Sequence, residues 1–143
     1  GGGVGLAAAC DYALATEESA IKLSEFTIGI GPFAIAPAVE RKMGKAALAE
    51  LTIAADEWKN AYWAKEKGLY AKVFENIREL DKEVDLLTSK LASYNPEALA
   101  SMKKIFWQGT ENWDMLLADN AKISGRLVLS DFTKEALSKF KNK

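Results

Sequence analysis

Two features near the start of the chain are able to do chemistry. The first is the stretch "GGGVGLAAAC", in which Gly1, Gly2 and Gly3 run into apolar, Ala-rich sequence. Glycines at the head of a helix leave backbone N–H groups bare, and such groups hold negative charge. A phosphate, a purely structural turn and a transient oxyanion all fit that description. The second is Glu25, a carboxylate in "LSEF" just before the Gly/Pro loop "TIGIGP". Taken alone, such a glutamate is most simply solvated, with general acid–base work as the lesser reading. Gly3-Val4-Gly5-Leu6-Ala7-Ala8 also fits G-x-G-x-x-A, with an acidic residue about 20 positions on, the outline of a dinucleotide fingerprint. Two things weigh against that outline. The helix after the glycines has only about two turns before "CDYALAT", short for a crossover, and no strand–helix alternation follows "SEFTIGIGP".

The rest of the composition narrows the choice. There is no histidine, which excludes Ser-His triads, His bases and His-ligated metals. The 143 residues, 49% hydrophobic and 27% charged, have the composition of one ordinary globular domain with a real core. A net charge of −1 with evenly spread Lys and Arg provides no basic face for nucleic acid or an anionic membrane. No apolar run approaches the ~20 residues of a spanning helix. The lone cysteine, Cys10, excludes an internal disulfide, fits a reducing, cytoplasmic compartment, and reads as a small core residue. The chain has neither an initiator Met nor a strand before its first turn, so the expectation is the C-terminal part of a longer protein.

The elements that must position these residues follow from the patterning. Val4 to Cys10 reads as a short helix. "DYALAT" and "AIKLSE" read as two short strands joined by "EES", which puts Glu25 at a strand end. "FAIAPAVERKMG" predicts a helix ending at Gly44, "KAALAELTIAAD" a second, and "EWKNAYWAKEKG" a third that stops at Gly68. "LYAKVFE" is the last strand. Beyond it Ile77, Leu80, Val84, Leu87 and Leu91 form an amphipathic stripe, and Asn95-Pro96 opens a further helix. The segment from Glu111 to Leu129, and then "DFTKEALSKF", complete the helical half. Trp58, Trp63, Trp107 and Trp113 lie among apolar residues at helical spacing and read as core or subunit contacts.

"GGGVGLAAACDYALATEESAIKLSEFTIGIGP" resembles the enoyl-CoA hydratase/isomerase (crotonase) superfamily, with its G-G-G-x-x-L-A-x-x-C-D turn, A-x-x-A strand and acidic residue before a G-x-x-P loop. The resemblance continues through "RKMGKAALAELTIAADEWKNAYWAKEKGLYAKVF". It implies an α/β fold, mostly helical in this chain: the C-terminal part of a crotonase-type ββα spiral with a helical trimerisation region. Residues 1–75 would belong to the crotonase core and 76–143 to the oligomerisation region, giving a homo-trimer or hexamer. Carried over by position, one oxyanion donor falls on Gly2, with the other in a loop upstream, and the catalytic carboxylate falls on Glu25. Gly1, Gly3, Gly5 and Phe33 would contact substrate. Coenzyme A would be part of the substrate, with no metal or redox cofactor.

This chain departs from the family's hydratases at two places. Their second glutamate falls on position 5, where this chain has Gly5, and "LSEFTIGIGPFAIAPAV" differs from the common P-E-x-x-L-G-x-x-P-G-x-G-G-T form. Both departures resemble hydratases of branched, carboxylated enoyl-CoA esters of the methylglutaconyl type. A glycine at position 5 is expected to open volume and to remove a negative charge, which suits an acid-bearing acyl group. The implied activity is hydration of an enoyl-CoA by one carboxylate. A sister activity such as isomerisation or decarboxylation, or a helical oligomerisation module without activity, are the alternatives. The basic tail Lys134, Lys139, Lys141 and Lys143 reads as a solvated face, with a contact to the nucleotide phosphates of coenzyme A as the other reading.

Overall fold

The computed structural model describes residues 1–141, and among them seven α-helices, four short strands and one 3₁₀ turn follow in order. Helix α1 (Gly2–Ala8) starts two residues before the predicted Val4. The carbonyl of Gly1 accepts from Val4 N–H at 2.9 Å and from Gly5 N–H at 3.4 Å, so the glycines form the first turn instead of leading into it. The two predicted strands are present but shorter, and they do not pair with each other. Strand β1 (Leu14–Thr16) runs parallel to β4 (Lys72–Phe74), with Ala15 opposite Val73. Strand β2 (Ala20–Ile21) runs antiparallel to β3 (Lys59–Asn60). Glu25 is therefore not at a strand end: it opens a 3₁₀ turn, Glu25–Ile28.

The two helices predicted on either side of Gly44 run as one element, α2 (Ala36–Ile53), with the helical conformation broken at Gly44, where φ is 82° and ψ 161°. Helix α3 (Ala61–Glu66) is shorter than predicted. Lys59 and Asn60 are taken into the β2–β3 pair, and the Asn60 side chain caps the helix by accepting Trp63 N–H at 2.8 Å. Helices α4 (Ile77–Ser93), α5 (Pro96–Phe106), α6 (Trp113–Val128) and α7 (Asp131–Lys141) follow as expected. The side chain of Asn76 accepts Glu79 N–H at 3.1 Å, and Asn95 accepts Glu97 N–H at 2.9 Å, so both serve as N-caps.

The core lies in the first half of the chain. Ala8, Leu23, Val39, Leu51, Ala64 and Leu69 are its most enclosed members, joining α1, α2 and α3 with the segments just past β2 and α3. Helices α4, α5 and α6 bury no residue. Cys10 is exposed, contrary to the core role expected of it: it lies past the end of α1, and its Sγ donates to Leu6 O at 3.4 Å. Trp58 is exposed as well, at 63%, whereas Trp63 and Trp113 pack against the core.

Helix α7 returns to the first half and packs on the 3₁₀ turn that carries Glu25. Thr133, fully buried, sits at the contact. The turn ends at Gly29, whose φ of 81° favours glycine. A Cβ there would lie 2.4 Å from Phe132 Cδ1 and 2.7 Å from Thr133 Oγ1. Gly29→Ala is thus expected to cost about 2–4 kcal/mol, combining backbone strain with overpacking. Gly109→Ala has the same backbone handicap (φ 83°) but open space, and should cost about 1 kcal/mol. Urea unfolding of the two variants measures the difference, and equal losses would remove the α7 contact as the cause.

Candidate active site

The short loop between β2 and α2 lies across the face of α1, and this brings the predicted residues together. Gly1 caps α1 without any side-chain hydrogen bond, and its own N–H donates to Lys22 O at 2.7 Å. The N–H groups of Gly2 and Gly3 have no acceptor among the described residues. Glu25 reaches this end of α1. A Cβ placed on Gly1 would be 3.5 Å from its Oε1, while its Oε2 is buried and accepts no hydrogen bond. An enclosed carboxylate oxygen without a donor is costly unless something arrives to use it. Bare N–H donors and an unsatisfied carboxylate at one helix end form a pair that can hold negative charge on one atom and move a proton at another.

Gly2 and Gly3 have open space where a side chain would stand. Beside them is a cavity of about 330 Å³ lined by Gly1, Gly3, Lys22, Ser24, Trp58 and Tyr70. The Lys22 ammonium lies 4.6 Å from the centre of the Trp58 ring. Lys22 did not stand out in the sequence and Trp58 read only as a core or subunit contact, because nothing local ties a lysine just past β2 to a tryptophan more than 30 positions away.

Gly5 departs from expectation. It is buried, and it leaves no free volume: a Cβ there would be 2.3 Å from Ile35 Cγ2 and 2.6 Å from Ile35 Cβ. The room expected at Gly5 is filled by a side chain from the loop that precedes α2. Phe33 does not join the glycine cluster. Its ring covers Gly31, and it lines an apolar groove of about 370 Å³ with Phe26, Pro32, Leu48 and Ile53. Of the basic tail, Lys134 lies 3.7 Å from Asp131, and Lys143 falls outside the described residues.

A second polar cluster holds the far end of α1. The Asp11 carboxylate accepts from Trp107 Nε1 at 2.7 Å, pairs with Lys103, and lies 3.8 Å from Arg41. Arg41 stacks 4.1 Å from the Trp107 ring and donates to Phe106 O at 2.8 Å. Lys42 donates to the Asp11 carbonyl at 2.6 Å. Asp11 thereby ties the α1 end to α2 and α5.

The fold and this arrangement define a class: the helix-rich, C-terminal part of a crotonase-type fold, with a glycine-headed helix facing a carboxylate. The family model for enoyl-CoA hydratase/isomerase matches residues 1–143, and the chain belongs to that family. It is 30% identical over 145 residues to a Bacillus subtilis (strain 168) protein described as a probable enoyl-CoA hydratase, covering 100% of this chain and 56% of that protein. An enoyl-CoA hydratase structure from Mycobacterium avium superposes with a TM-score of 0.89 at 31% identity, covering 99% of this chain and 55% of the other. An enoyl-CoA hydratase/isomerase from Pseudoalteromonas atlantica T6c shares the fold with a TM-score of 0.88 at 22% identity, over 99% of this chain and 57% of that one. The chain thus spans about half the length of the relatives it matches.

The Asp11 cluster makes a prediction about acid stability. The hydrogen bond from Lys103, aided by Trp107 and by the nearby cationic charges, holds the Asp11 carboxyl below the usual carboxylate range against the opposing effect of burial. A depressed native pKa adds stability that is present above the unfolded value of about 3.9 and is lost as pH falls through the native value. Asp11→Asn should therefore be less stable than wild type at pH 7, with the gap narrowing below about pH 4. Thermal melts from pH 7 to pH 2.5 read this out, and a gap that stays constant across the range would refute it.

Proposed function

We propose that this chain carries the oxyanion turn and the general base of an enoyl-CoA hydratase. One observation carries the reading: Glu25, with a buried and unpaired Oε2, lies against the end of α1 where the Gly2 N–H is free. Glu25 takes a proton from water as the water oxygen bonds to the β-carbon of the enoyl thioester. The π electrons move to the thioester oxygen, and the Gly2 N–H helps to hold that enolate. A second donor comes from the family's upstream loop. Glu25 then returns the proton to the α-carbon, so one carboxylate serves as base and as acid. Coenzyme A enters as part of the substrate, and the chemistry asks for no metal or redox cofactor.

The substrate we favour is a branched, carboxylated enoyl thioester of the methylglutaconyl type. Its support is the missing negative charge at position 5 together with the departure of the loop "LSEFTIGIGPFAIAPAV", since Ile35 takes the volume. A cytoplasmic location rests on the single exposed cysteine, which suits a reducing compartment.

Glu25→Gln in the intact enzyme, with the upstream loop present, is expected to lower hydration of a crotonyl or methylglutaconyl thioester by about 10²–10⁴-fold, with thioester binding nearly intact. The amide keeps the size and the hydrogen bonding but takes no proton. Activity within threefold of wild type would remove Glu25 from the mechanism.

The assembly we propose is a homo-trimer or a dimer of trimers built on residues 76–143. Helices α4, α5 and α6 bury nothing, while Ile105, Phe106 and Met115 are 52%, 50% and 70% exposed. Such apolar faces call for a partner surface. Sedimentation at micromolar concentration should give a trimer or hexamer; a monomer would contradict it.

A further inference from the structure

We infer that Ile35 is a specificity-determining residue, acting as one unit with Gly5 to keep the site to a single carboxylate. The inference deepens the hydratase reading and rests on it. Gly1 and Gly5 are one helical turn apart, so they lie on the same side of α1. The Glu25 carboxylate lies over the first and the Ile35 side chain over the second. Two residues of the loop between β2 and α2 thus roof neighbouring positions of one bare helix face. One contributes an acid, the other a branched alkyl group.

Position 5 is where the second glutamate of two-carboxylate hydratases would stand. Here that place is filled, not vacant. Ile35 Cγ2 would be 2.3 Å and Ile35 Cβ 2.6 Å from any Cβ at position 5, whereas Ile35 Cα would be at 3.7 Å, an ordinary contact. Rotating the Ile35 side chain moves Cγ2 but not Cβ, so no rotamer of isoleucine admits a side chain at position 5. Gly5 is buried, with the helix backbone behind it, and cannot turn away. The consequence is chemical. One turn along α1 from the Glu25 contact, the alkyl group of Ile35 offers no acceptor to a second water proton and places no negative charge near an acid-bearing acyl group. Reversal therefore takes two substitutions. A carboxylate enters position 5 only when Ile35 has lost its Cβ.

The distances set a graded test in the full chain. Gly5→Ala alone should lower the melting midpoint by about 5 °C or more. In an Ile35→Ala background it should still be costly, because Cβ remains. In an Ile35→Gly background the added methyl should cost little, since both close atoms are gone and glycine is accepted at the N-cap position that residue 35 occupies. Gly5→Ala without loss in wild type, or with equal loss in all three backgrounds, would overturn the pairing.

The functional arm uses Gly5→Glu with Ile35→Gly. The pH profile of kcat/KM for a crotonyl thioester should gain a second ionisation absent from Ile35→Gly alone, and turnover of a dicarboxylic enoyl thioester should fall relative to the crotonyl one. An unchanged profile and an unchanged substrate ratio, with the stability pattern intact, would leave Ile35 a packing residue and refute the specificity role. Absence of hydration in wild type at every pH would instead sink the hydratase reading. The dicarboxylic-to-monocarboxylic ratio of thioester binding, measured by calorimetry, would then decide the role of Ile35.

Discussion

Helix α1 presents a face without side chains, and the loop that follows β2 lies directly on it. Glu25 rests against Gly1 and Ile35 against Gly5, with contact distances that no residue bearing a Cβ allows at position 5. This close approach lets a seven-residue helix hold a carboxylate at its own N-terminus. With a larger residue at position 5, Ile35 and the start of α2 would be pushed off α1. Glycine is needed at position 5 to admit a neighbour, whereas the Gly2 N–H is open because it lies in the first turn of α1.

The loop is held from its other side too. Helix α7 packs on the 3₁₀ turn through Phe132 and Thr133, and it comes so near at Gly29 that a methyl group would collide. Glu25 therefore opens a turn pressed between α1 and α7. The far end of α1 is fixed in turn by Asp11, which gathers Trp107 and Lys103 from the α5 region and Arg41 from α2. Helix α5, which buries no residue of its own, is tied to the site through these few contacts. The proton transfers proposed for Glu25 would benefit from such support, because small displacements cost proton-transfer geometry.

Much of this was legible in the chain because its causes are local. Asn95 announces a helix start because its side chain satisfies nearby N–H groups, and that cap forms as read; Asn76 caps α4 in the same way. Gly44 and Gly68 mark breaks because only glycine adopts their positive φ without strain. The glycine run and the acidic residue before a Gly/Pro loop pointed to an oxyanion turn and a base, and the fold brings Gly1, Gly2 and Glu25 to one place. Errors came where a distant segment intervened. Lys59 and Asn60 carry a helical pattern, yet their pairing with Ala20 and Ile21 draws them into a strand. Cys10 looks like core by composition, but its position past the end of α1 exposes it.

The sequence by itself determined the kind of site: bare donors at a helix start, one carboxylate 23 positions from the middle glycine, and no histidine to share the work. It also determined the order of elements, since caps, breakers and apolar spacing act within a few residues of themselves. Only the tertiary structure decided what stands beside the carboxylate. A glycine in a sequence states the absence of a side chain, and that absence means open space at Gly2 and a packed isoleucine at Gly5. The difference lies in which residue from another segment reaches that face. It is set by the path of the loop across α1, a long-range contact that no local pattern encodes.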